Sequence, residues 1–86
     1  MKRLSLKDFT ESDKLCKCEN AHYTYEDDSY LIHLSHRYYQ IDKHKRSQRV
    51  WVADIVYKTA SMESTEFMHN RLKETMGWVN MILSLH

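Results

Sequence analysis

Apolar and polar positions alternate most clearly over residues 50–57. Trp51, Ala53, Ile55 and Tyr57 take one parity, and Val50, Val52 and Val56 take the other, interrupted by Asp54. Strand side chains point alternately to two faces, so this pattern predicts a strand that is apolar on both. Such a strand is central in a sheet or covered on both sides. Residues 30–38 repeat the period, with Tyr30, Ile32, Leu34 and Tyr38 on one parity and His36 among them. The same stretch also fits a helix through Leu31, Leu34, Tyr38 and Ile41, capped by Ser29. We favour the strand because tyrosine and histidine dominate while alanine and glutamate are missing. Residues 21–26, rich in aromatic and β-branched types, suit a third strand.

Further along, Met68, Leu72, Met76, Val79 and Leu83 form a seam at helical spacing. Phe67, Trp78, Met81 and Leu85 lie beside it and widen the apolar side. The spacing predicts a helix over 62–85, capped by Ser61 or Ser64, with Glu63 and Glu66 near the positive end of its dipole. Gly77 would cost about 1 kcal/mol against alanine in that helix. Close packing on the sheet would account for it, and a kink before 78–85 is the alternative. Residues 4–18 read as a weaker helix, opened by Ser5 and Asp8 at capping-box spacing, with Leu6, Phe9 and Leu15 loosely on one face. Turns are expected at 19–20, 26–29 and 42–47, where Asp, Asn, Ser and Lys cluster. These elements assemble into a single α+β domain over 1–86. It has an antiparallel three-stranded meander, a long C-terminal helix across one face and a weak N-terminal helix.

Composition narrows the function classes. The 86 residues are enough for one small domain with a thin core. Apolar residues make up 42% and charged residues 29%, which is globular rather than disordered. Proline is absent and glycine occurs once, which argues against an all-β fold with many tight turns. Net charge is +1, so no global attraction to nucleic acid or anionic membrane exists. The distribution is uneven, however. Asp8, Glu11, Asp13, Glu19, Glu26, Asp27 and Asp28 crowd the first third, whereas Arg37, Lys43, Lys45, Arg46 and Arg49 follow it. Cys16 and Cys18 are too close for a comfortable disulfide. With no signal-peptide pattern and no run of membrane-spanning length, a cytoplasmic location is expected.

Most candidate chemistry dissolves on spacing. Cys16-Lys17-Cys18 lacks the two-to-four-residue gap and second pair of a structural zinc site. His33 and His36 would face opposite sides of a strand, so the histidines read as scattered surface residues. Asp54, between Val52 and Val56, is a candidate for a desolvated carboxylate, with no positioned second acid or nucleophile beside it. No Gly-x-Ser-x-Gly turn is present, and a single glycine rules out a phosphate-cradling loop. No enzyme activity, cofactor or metal is therefore expected.

What remains is a surplus of rings and cations. Tyrosine, tryptophan, methionine and arginine are enriched at protein interfaces, and the chain holds more of them than a small core can absorb. The expectation is a non-catalytic protein-binding module, a small regulator or inhibitor that docks on a larger protein. Its contact surface would be Arg37, Tyr38, Tyr39, Lys43, Lys45, Arg46 and Arg49. The alternative is nucleic-acid binding by the same basic aromatic segment, with cations on phosphates and tyrosines stacked on unpaired bases. Self-association as a homodimer through Trp78, Met81 and Leu85 is a further expectation.

Overall fold

The computed structural model describes residues 3–14, 19–39, 48–58 and 63–85, without the side chain of Tyr39. It is an α+β domain with one antiparallel sheet in the strand order β1-β2-β3-β4-β5. The strands are β1 (Thr10–Ser12), β2 (Glu19–Glu26), β3 (Tyr30–Tyr39), β4 (Gln48–Tyr57) and β5 (Ser64–His69). The helix α1 (Leu72–Ser84) follows and packs on β4 and β5. Among the described residues no helix is long and apolar enough to cross a membrane.

The alternation in β3 and β4 works as expected. Ile32, Leu34, Ala53 and Ile55 lie buried on the face towards α1, against Met76, Val79 and Leu83. Tyr23, Tyr25, Tyr30, Trp51 and Tyr57 widen this core, and Leu4 and Phe9 belong to it. The register pairs Ile32 with Ile55 and Leu34 with Ala53, so the two apolar parities coincide. The turn after β2 is built by Asp27, whose Oδ1 accepts the N–H groups of Ser29 at 2.7 Å and Tyr30 at 2.9 Å. A side chain thus performs the work usually given to glycine or proline.

Three expectations are corrected. The sheet has five strands, not three. Residues 64–69 form strand β5 rather than the first turns of the helix, so Met68 leaves the helical seam and Glu63 and Glu66 leave the dipole. The reason lies in β4, whose outward N–H and C=O groups need a second neighbour. Tyr57 N–H donates to Glu63 O at 2.8 Å and opens that ladder. The helix begins after Arg71, an extended residue with no side-chain cap, instead of after Ser61 or Ser64. The N-terminal helix shrinks to one 3-10 turn, Leu6–Asp8, before the chain joins the sheet as β1. The Ser5–Asp8 device is real: Asp8 Oδ2 accepts the Ser5 N–H at 2.8 Å. It simply caps a turn, because Phe9 is needed in the core.

Two smaller points also change. Residues 19–20 do not turn; they start β2 with a bulge. Gly77 does not sit against the sheet, since a Cβ there would meet nothing within 4 Å. The turn expected at 42–47 and the cysteines Cys16 and Cys18 lie outside the described residues.

Candidate functional site

Two regions carry exposed or polar chemistry. The first is the free end of the β3–β4 hairpin. The ladder continues to Tyr38↔Arg49 and Tyr39↔Gln48. Its neighbours stop earlier, β2 at Glu19↔Arg37 and β5 at His69↔Trp51. The last two pairs are therefore flanked by no other described strand. Tyr38 is 41% exposed, and the Arg49 guanidinium lies over its ring at 5.4 Å. A cation over an aromatic face holds both side chains in one orientation. Inward from this pair, His36 stacks on Trp51 at 4.5 Å. Burial, and secondarily the nearby Arg49 charge, pushes the His36 pKa below its ordinary value.

Of the expected contact residues, the structure brings Tyr38 and Arg49 together and separates Arg37 from them. Arg37 is on the opposite face of β3, beside Glu19 in the register. Tyr39 closes the ladder, while Lys43, Lys45 and Arg46 lie outside the described residues. The expected self-association residues also divide. Trp78 is half-buried and stacks on Phe67 at 5.1 Å, whereas Met81 and Leu85 are 52% and 72% exposed.

The second region was not foreseen. The sheet face away from α1 holds a concavity of about 290 Å³ lined by Glu19, His22, His33, Ser35, Arg37, Val52, Asp54 and Glu66. His22 is only 4% exposed, which corrects its expectation as a surface histidine. Its Nδ1 meets the Glu19 carboxylate at 3.2 Å, and its Nε2 meets His33 Nδ1 at 3.1 Å. A carboxylate beside Nδ1 fixes that nitrogen as a donor. The 3.1 Å contact between the rings is a hydrogen bond when one nitrogen donates and the other accepts. Glu19, His22 and His33 form a short relay at the concavity wall.

Glu19 and His22 are three apart, so on a regular strand they would face opposite sides. The bulge between Glu19 and Ala21 inserts a residue and brings them to one face. His33, Asp54 and Glu66 then follow in one cross-strand row. Asp54, proposed from sequence as a desolvated carboxylate, is half-buried here. His33 and His36 do face opposite sides, as the strand period requires. Glu19, Asp54 and Glu66 outnumber Arg37, giving the concavity an acidic balance. The Arg37 Nε is buried without a hydrogen-bond partner. Among the described residues no hydroxyl or thiol hydrogen-bonds either imidazole of the relay. No described group of three or more His, Cys, Asp or Glu side chains is arranged to hold a metal ion.

Searches against protein-family models, curated proteins and solved structures found no match to this chain.

Proposed function

We propose that the protein is a non-catalytic docking module that grips a larger protein through the free end of the β3–β4 hairpin, as a small regulator or inhibitor. The observation that supports this reading is the Tyr38–Arg49 pair, exposed and prearranged beyond the reach of β2 and β5. Tyrosine delivers large contact area with few mobile torsions, arginine adds a planar fork of donors, and prearrangement of the pair lowers the ordering cost of binding. The arm stands clear of the core cluster, so binding there leaves the fold undisturbed.

The test is affinity capture from native lysate with the wild-type chain and with Tyr38→Ala combined with Arg49→Ala. The double variant should keep its urea midpoint and lose captured partner by tenfold or more, on the order expected for one interface anchor. Equal recovery of the same partners would refute the arm as the contact. The same capture after nuclease treatment separates the alternative. If all recovery vanishes with the nucleic acid and falls steeply with salt, the arm binds phosphates and bases instead.

A further inference from the structure

Among the described residues the sheet has two edges, β1 and β5, and β5 is the longer. Tyr57 N–H donates to Glu63 O, so odd residues of β5 turn their backbone groups towards β4. Alternation then aims the N–H and C=O groups of Ser64, Glu66 and Met68 outwards. No described strand pairs with them. Edge strands usually carry lysine, proline or a bulge that discourages pairing. This one, Ser-Thr-Glu-Phe-Met-His, carries none of these, and Glu66 is its one charge.

We propose that two copies of the chain join β5 to β5 in antiparallel fashion, forming one continuous sheet about a two-fold axis through Phe67. Directly opposed residues in such a pair must share a face, so the axis passes through a residue and not between two. Placing it at Glu66 would oppose two like charges, which destabilises a cross-strand pair. Placing it at Phe67 opposes Glu66 with Met68 of the second copy, and both are residues whose backbone groups point outwards. β5 ends at His69 and the chain bends at Asn70, which leaves Arg71 just past one end of the ladder, on the side of Glu63 of the second copy, twice by symmetry. Both are exposed, and Arg71 has extended backbone.

The helix fits the same arrangement. Asn80 is bonded to Leu4 on one flank of α1, and Trp78 stacks on Phe67 of β5 on the other. At about 100° per residue the apolar arc runs from the sheet-facing residues through Ile82 and Trp78 to Leu85 and Met81. Ile82 and Trp78, both half-buried, therefore face the β5 flank towards the proposed axis, while Leu85 and Met81 lie further round on the outer side. With strands about 4.8 Å apart, a helix lying over β4 and β5 alike sits about 5 Å from that axis. Two such helices are about 10 Å apart, within the packing range of helix pairs. Backbone ladder, end charges and helix seam all specify one occupant, a second copy.

Sedimentation equilibrium of the full chain tests this with three variants. Met68→Pro removes an N–H that points outwards and leaves the β4 ladder whole. The wild type should be dimeric at tens of micromolar, and Met68→Pro should be monomeric with an unchanged far-ultraviolet circular dichroism spectrum. Arg71→Glu should weaken the dimer by roughly tenfold, as two exposed pairs turn repulsive. Adding Glu63→Arg to Arg71→Glu should restore it, a rescue that holds even if the proline variant fails to fold. A monomeric wild type at several hundred micromolar would overturn the proposal. So would a dimer indifferent to Met68→Pro and Arg71→Glu, or one that the paired reversal does not rescue.

Discussion

Phe67 and Trp78 offer the sharpest test of how residues 63–71 fold. Their rings stack at 5.1 Å, with 13° between the planes. That is possible only because the chain reverses between β5 and α1. On one continuous helix eleven residues would separate them by about 16 Å along the axis, beyond contact. Stacked aromatic pairs contribute about 0.5–1.5 kcal/mol beyond their burial. Phe67→Leu and Trp78→Leu retain much of the apolar volume, so each should cost about 1–2 kcal/mol. The combined loss stays below the several kcal/mol expected for a chain of this size. Urea unfolding followed by circular dichroism gives the four stabilities of the cycle. The double variant should be more stable than the sum of the single losses implies, by about 1 kcal/mol. A coupling indistinguishable from zero would refute the stacked geometry, and with it the break between strand and helix.

Gly77→Ala should stabilise the domain by about 1 kcal/mol and raise Tm by about 4–8 °C, since the added methyl meets open space; a lower Tm would mean that Gly77 is held by packing. Asn80→Ala removes the clamp on Leu4, in which Leu4 N–H donates to Oδ1 at 2.8 Å and Nδ2 donates to Leu4 O at 2.9 Å. The loss should be about 1–3 kcal/mol by urea unfolding, and a smaller change would show the N-terminal segment to be held without it. Acidification should destabilise the fold in two stages. The His36 pKa is lowered in the fold from 6.5, so the unfolded chain binds the extra proton and stability begins to fall below that pH. The Asp27 pKa is lowered from 3.8: burial raises it, but bonds from Ser29, Tyr30 and Tyr25 and the Lys58 charge outweigh burial. That contribution is present above 3.8 and is lost as pH falls further. His36→Gln should flatten only the upper stage and Asp27→Asn only the lower, as read from Tm against pH; unchanged curves would contradict both assignments.

The faces of β3 and β4 were legible because hydrophobic alternation depends on local sequence alone. β5 was not, because Phe67 and Met68 happen to lie at helical spacing from residues of α1. A clue was nevertheless present. A strand apolar on both faces is central in a sheet or covered on both sides, and a three-stranded meander ending at residue 57 leaves it on an edge, so a further strand was one of the two ways to satisfy it. β1 offers no apolar alternation in Thr10, Glu11 and Ser12, so only its partner β2 defines it. The Glu19–His22–His33 relay was hidden for another reason. Its geometry depends on the bulge after Glu19, which reverses parity at one point, and no residue type there announces a bulge.

The account rests on residues 64–69 being an extended edge strand against β4, with the helix starting only at Leu72. Two-dimensional NMR of the backbone tests this directly. Val52 and Met68, and Asp54 and Glu66, are opposed pairs whose backbone groups point away from each other, so their α protons lie close. Cross-peaks between those α protons, with extended chemical shifts through 64–69 and helical shifts from 72, are the expected result. Helical shifts running unbroken from 62, with i to i+3 cross-peaks through 63–70, would contradict it.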